Sequence, residues 1–70
     1  MATKKEIENM SDTQLIIAFH DNVVRGVKEI NFGRYGRMTG ATVKEEEFLQ
    51  AEMSKRFNLN KEELYNGTHN

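Results

Sequence analysis

The 70-residue chain has no cysteine, no proline and no tryptophan. Without thiols there can be no disulfide framework and no thiolate zinc site. The two histidines, His20 and His69, are far apart in sequence, and no metal-ligand spacing appears, so neither a metal nor a cofactor is expected. No apolar run is long enough for a membrane span or a signal sequence. With a polar opening, "MATKKEIENM", the chain reads as cytosolic and not membrane-bound. The lack of proline removes the strongest helix breaker and favours helices throughout. At this length a monomer buries only about 60% of its unfolded surface. Small scaffolds usually add disulfides, a metal or oligomerisation, and here oligomerisation is the support left.

The net charge is −1, but it is unevenly spread. Residues 25–44 carry Arg25, Lys28, Arg34, Arg37 and Lys44 against Glu29 alone, whereas the remainder carries five basic and ten acidic residues. This asymmetry points to an anionic partner, or to a basic segment resting on an acidic helix of a second copy.

Capping patterns divide the chain. Thr3-Lys4-Lys5-Glu6, Ser11-Asp12-Thr13-Gln14 and Thr42-Val43-Lys44-Glu45 are capping boxes, and Asn60-Lys61-Glu62-Glu63 is a close relative. In each, a short side chain can accept a free amide while Glu or Gln reaches back. Met10 can staple to Leu15, and Leu59 to Leu64. The spacing predicts helices near 4–9, 12–30, 43–57 and 61–66: an all-α helical hairpin of two main helices with short flanking helices, in one domain of residues 1–66 with a flexible tail at 67–70.

On the first long helix, Leu15, Phe19, Ile30, Val23, Ile16, Val27, Val24 and Ile17 fill an arc of roughly 200°, twice the stripe of an ordinary surface helix. Asp21, Asn22, Arg25, Lys28 and Glu29 occupy the other side. The second helix offers a narrower stripe of Leu49, Met53 and Phe57 with Val43 nearby, and Phe48 points away from it. One hairpin partner cannot cover the whole arc. A second copy around a two-fold axis would complete a dimeric helical bundle, with Ile17, Val24, His20, Val27 and Phe48 as candidate interface residues. The short terminal helices, through Ile7, Met10, Leu59, Leu64 and Tyr65, are the alternative cover.

Catalytic groupings are lacking. His20 falls within the apolar arc, where one hydrogen bond, for instance to Glu46, would satisfy it, and a His–Glu pair without a nucleophile or metal is not an active site. Glu45, Glu46 and Glu47 diverge around their helix and lie in a first turn favoured by its dipole. The chain therefore reads as non-enzymatic. Gly26, inside the arc, costs about 1 kcal/mol against alanine and suggests a close backbone approach by another helix or by the partner chain, a tolerated defect being the alternative.

The stretch "FGRYGRMTG", residues 32–40, remains. Gly33-Arg34-Tyr35-Gly36 is a GxxG, but the strands of a KH sheet are missing. Arginine forks bind phosphate or carboxylate, and aromatics can stack on bases. The plain alternative is a connector capped at Gly33 and anchored in the core by Phe32 and Met38, with about eleven residues between helices against the usual 2–8. Arg34, Tyr35 and Arg37, with Arg25 and Lys28, are the candidate partner-binding residues.

The run "NFGRYGRMTGATVKEEEFLQAEMSKRF", with Arg34-Tyr35-Gly36-Arg37 ahead of a charged Glu/Lys helix, resembles small proteins encoded by phages and prophages of Gram-positive bacteria. It covers less than half the chain. The resemblance implies an accessory protein that binds and modulates a host or phage macromolecule, inhibition being one outcome, and it supplies no site residues. Together these readings point to a small homodimeric interaction protein with a protein partner; a nucleic-acid-binding module built on residues 32–40 is the alternative.

Overall fold

The computed structural model describes residues 2–58. Three helices follow one another: α1 (Lys4–Glu8), α2 (Asp12–Phe32) and α3 (Gly40–Phe57). There is no strand among the described residues. The expected helix at 61–66, its Asn60 cap, the Leu59–Leu64 staple and the tail at 67–70 lie outside them.

Two starts form as the capping patterns predict. The Thr3 hydroxyl accepts from the Glu6 amide while the Glu6 carboxylate accepts from the Thr3 amide, and Ser11 and Gln14 do the same for α2. The third start differs. The cap of α3 is Thr39, whose Oγ1 accepts from the Thr42 amide. Thr42 itself is inside the helix and buried. Both threonines have cap chemistry, and the contest is decided from outside the segment. Glu29 on α2 accepts from the Thr39 amide at 2.9 Å and from the Thr42 hydroxyl at 2.9 Å. It takes the part that a glutamate three residues into the helix plays in a capping box. α3 therefore begins three residues earlier than expected, and the connection shortens to residues 33–39, an ordinary hairpin length.

The hairpin packs one stripe of each helix. On α2 the buried positions are Leu15, Phe19, Asn22 and Gly26, and on α3 they are Thr42, Glu45, Leu49, Glu52 and Met53. Phe57 packs on the core from the side, whereas Val43 is 40% exposed. The α3 stripe is thus turned by one residue from the expected line, so that Thr42 rather than Val43 faces inward. α1 supplies Ile7, which completes a core with Leu15, Phe19, Leu49 and Met53. Met10 packs beside it, as the expected staple to Leu15 requires. α1 also lies over Phe48, which lines a small hollow with Ile7 and Ala51 and is half-buried.

A five-residue helix is too short to stand alone in water. Arg56, near the end of α3, ties it down. Its Nη1 donates to the Met10 carbonyl (2.6 Å) and Asp12 (3.2 Å), and its Nη2 to the carbonyls of Glu8 (3.0 Å) and Ile7 (3.4 Å). Its Nε donates to Glu52 at 2.7 Å. One guanidinium thus satisfies carbonyls at the end of α1 that have no partner within the helix. α3 ends at Asn58 in the left-handed region, φ 54°, a conformation asparagine tolerates.

Candidate functional site

A polar cluster joins α2 to α3 and settles which side of α2 faces inward. Asn22, fully buried, donates through Nδ2 to the Thr42 carbonyl (3.1 Å) and to Glu45 Oε1 (3.0 Å). Glu45, 4% exposed, also accepts from the Ala2 amide at 2.6 Å and pairs with Arg25 at 3.2 Å. Burial pushes the Glu45 carboxyl upward, but the hydrogen bonds from Ala2 and Asn22 and the Arg25 charge outweigh it, so its pKa is lowered. The Glu29 carboxyl is lowered as well, chiefly by the Thr39 amide. Asn22 Oδ1 is buried without a hydrogen-bond partner among the described residues.

This arrangement corrects several sequence expectations. Asn22, expected on the polar side of α2, and Glu45, expected in a dipole-favoured first turn with Glu46 and Glu47, are both interior. Arg25, a candidate partner-binding residue, is 42% exposed at its side chain but committed to Glu45. His20, expected to be partly buried and bonded to Glu46, has a side chain 76% exposed, with its Nδ1 3.8 Å from Asp21. Glu46 instead accepts from Gln50 at 3.3 Å. The physical reason is common to all four. The wide apolar arc offered α2 more than one way to turn, and the buried Asn22–Glu45 contact fixes the turn that carries His20 outward.

The opposite face of α2 is apolar and open. Ile16 is 51% exposed, Ile17 55%, Val24 37%, Val27 48% and Ile30 49%. Ile17, Val24, Val27 and His20, four of the five interface candidates, lie together here, while Phe48 is on the other helix beneath α1. No described element covers this face.

The connection between α2 and α3 is the second exposed feature. Gly33 caps α2, its amide donating to the Glu29 carbonyl at 3.0 Å. A Cβ at Gly33 would lie 2.2 Å from that carbonyl oxygen, so only glycine fits. Gly36 has φ +65°, which glycine reaches without strain. Met38 is half-buried, and its side chain, rather than the backbone of another helix or of a second copy, lies on Gly26. Phe32, expected to anchor the other end, is 88% exposed; α2 runs on through it and directs its ring to solvent. Arg34, Tyr35 and Arg37 are exposed. The Arg34 guanidinium lies 5.7 Å from the centre of the Tyr35 ring, and Tyr35, Arg37 and Met38 line an open cleft of about 440 Å³ with Thr39 and Gly40. Among the described residues, no carboxylate pairs with Lys28, Arg34, Arg37 or Lys44.

Among the described residues, no group of histidines and carboxylates could hold a metal ion, and no helix is long and apolar enough to cross a membrane. In comparisons with known proteins, no family model, no curated protein and no solved structure matches this chain.

Proposed function

We propose that this chain is a small, non-enzymatic interaction protein that works as a homodimer and binds a protein partner. The observation that carries this reading is the open face of α2, where Ile16, Ile17, Val24, Val27 and Ile30 stand in solvent on one side of one helix. Exposed apolar patches of a few hundred Å² commonly mark interaction sites. Several hydroxyls and carboxylates among the described residues hold the fold: Thr3, Ser11 and Thr39 cap helices, Glu29 and Glu45 join elements, and Glu52 pairs with Arg56 within α3. The likeness of residues 31–57 to phage-encoded proteins supports an accessory role, modulating a host or phage macromolecule, in the cytoplasm.

Arg34, Tyr35 and Arg37 form the partner-binding surface, with Lys28 nearby. Arg25 drops out of this set because Glu45 holds it. Cations with no ion-pair partner among the described residues, beside an exposed Tyr35, also favour a second reading, single-stranded nucleic acid stacked on the aromatic ring. The test is capture of partners with the wild type and with the Arg34→Ala, Arg37→Ala double variant, alongside a low-salt gel shift on mixed DNA and RNA. A protein captured by the wild type alone supports the first reading. A gel shift lost in the variant supports the second, and identical behaviour of both proteins in both assays overturns the surface.

A further inference from the structure

We propose that residues 2–10, built around α1, are a releasable strap occupying a docking site on the α2–α3 hairpin, and that this site takes a short helix of a partner protein, lying parallel to α3 and carrying one branched aliphatic side chain.

The strap shows what the site recognises. A helix of five residues does not form alone in water, so α1 takes its shape from where it sits. Lys4, Lys5, Glu6 and Glu8 are exposed, Ile7 is fully buried, and Ala2 and Met10 are half-buried beside the core. Among the described residues, every hydrogen bond between hairpin and strap is made to the strap's backbone. Glu45 accepts from the Ala2 amide, and Arg56 donates to the carbonyls of Ile7, Glu8 and Met10. Free amides at one end and free carbonyls at the other belong to any helix. Glu45 and Arg56 stand about three turns apart on α3, about 16 Å. Together they fix the length and polarity of an occupant without reading its sequence. Selectivity is left to the hollow that Ile7 shares with Phe48 and Ala51.

Both anchors stay satisfied when the strap leaves. Arg56 keeps Glu52 at 2.7 Å and Asp12 at 3.2 Å, and Glu45 keeps Asn22 at 3.0 Å and Arg25 at 3.2 Å. Release therefore strands no buried charge, which is what makes breaking a buried ion pair so costly. The division in the chain is clean as well. α1 has its own capping box, Thr3 with Glu6, and α2 has Ser11 with Gln14, so neither helix start depends on the other. The polar links between α2 and α3 run from Asn22 and Arg25 to Glu45 and from Glu29 to Thr39 and Thr42; none includes a residue of the strap. Release uncovers an apolar floor, with Leu15 and Leu49 at its centre and Phe48 at its edge. An apolar floor with a carboxylate at one end and a guanidinium at the other fits a short amphipathic helix in a single direction.

Two experiments on the full chain test this. The first is native-state hydrogen exchange in increasing urea. The amides of Asn9 and Met10, bonded within the strap, should be at least about tenfold less protected than those of Phe19 and Leu49. Their urea dependence should be intermediate, because release exposes a limited surface. A slope equal to that of Phe19 and Leu49 would mean that strap and hairpin open only together. A slope of zero would mean fraying of the helix end. Either result overturns the proposal. The second experiment uses Ile7→Asp, which drives the strap off its site, and a fluorescent peptide of residues 2–10 followed by anisotropy. The peptide should bind the variant at least about tenfold more tightly than the wild type, whose own strap competes from within the chain. Adding Arg56→Lys to the variant should weaken binding, since lysine keeps a charge beside Glu52 but lacks the guanidinium fork. No binding to Ile7→Asp, or loss of its helical circular dichroism, would overturn the releasable strap. Binding unaffected by Arg56→Lys would overturn recognition of a helix end.

Discussion

Replacing Asn22 by aspartate changes almost no volume, yet it should be among the most damaging substitutions in this fold. Asn22 is fully buried and donates to Glu45 Oε1 at 3.0 Å and to the Thr42 carbonyl at 3.1 Å. An ionised aspartate can only accept, so both bonds are lost and two carboxylates face each other. Two like charges about 4 Å apart at an effective dielectric of 20 repel by about 4 kcal/mol. A ceiling can be set separately, because the pair can escape by protonating one member. At pH 7, roughly three units above an ordinary aspartate pKa, that also costs about 4 kcal/mol. Arg25 touches Glu45 but is nearly half exposed, so it offsets only part of this. A chain of 70 residues has on the order of 5 kcal/mol of stability in total. The variant should therefore be largely unfolded, or close to it, at pH 7. At pH 5 the ceiling falls to between 1 and 2 kcal/mol, about 1.4 kcal/mol for each pH unit, and a protonated aspartate can again donate to Glu45. Urea unfolding followed by circular dichroism at both pH values reads the effect. A loss below about 1 kcal/mol at pH 7 would mean that Asn22 does not oppose Glu45 in a buried site.

The remaining predictions concern the caps, the connection and the carboxylates. Thr39→Ala should cost about 1 kcal/mol in chemical denaturation, because Thr39 caps α3; Thr42→Ala should also destabilise, but through its lost bond to Glu29 rather than through a cap. Gly33→Ala should destabilise by about 2 kcal/mol or more, since its Cβ would collide with the Glu29 carbonyl, and a melting temperature equal to wild type would refute that contact. Arg34→Ala with Arg37→Ala should leave thermal melting unchanged, because solvated charges contribute about 0–1 kcal/mol per pair and these have no ion-pair partner among the described residues. The wild type should be evenly stable from pH 7 to about pH 5 and lose stability below it. Glu29 and Glu45 have lowered folded-state pKa values, so their contribution is complete above the unfolded value, about 4.3, and is lost progressively below it as pH falls through the folded-state values. A melting temperature constant down to pH 3 would contradict this.

Much of the local structure was legible because its causes are local. The Thr3–Glu6 and Ser11–Gln14 boxes join residues three apart, so composition and spacing reveal them. The Leu49, Met53 and Phe57 line and the width of the α2 arc follow from the helical period alone. What stayed hidden depends on partners distant in sequence. Thr39 and Thr42 have equal claims as caps until Glu29 is brought beside them from the other helix. The acceptors of Arg56 are backbone carbonyls of α1, and backbone carbonyls carry no sequence signature. The orientation of α2 was hidden for a related reason. Hydrophobicity ranked the whole arc alike, while the choice was made by an asparagine and a glycine: Asn22 reaching Glu45, and Gly26 leaving room for Met38. Of the candidate site, the exposed Arg34, Tyr35 and Arg37 were legible, and the commitment of Arg25 to Glu45 was not.

That choice of orientation bears on why the open face exists. Within α2, Leu15 and Phe19 are the large apolar residues turned fully inward, while three isoleucines and two valines are turned out. β-branched residues are mediocre helix formers, and their exposure to water contributes no burial energy. A helix selected only to hold this hairpin together would do better with Glu, Lys or Gln at 16, 17, 24, 27 and 30, which combine good propensity with solubility. Among the described residues the core is small, Ile7 with Leu15, Phe19, Leu49 and Met53, and a chain of this length is marginal as a monomer. Residues that are unfavourable for the isolated hairpin on two separate counts, yet regularly spaced along one side, are accounted for when that side is covered. Each fully buried side chain of this size contributes about 1.5–3 kcal/mol relative to exposure. Covering even the exposed half of five such residues on each copy would add several kcal/mol per chain, comparable to the whole stability expected of the monomer. Among the described residues nothing covers the open face of α2, and a partner seated there would supply burial that this small core lacks.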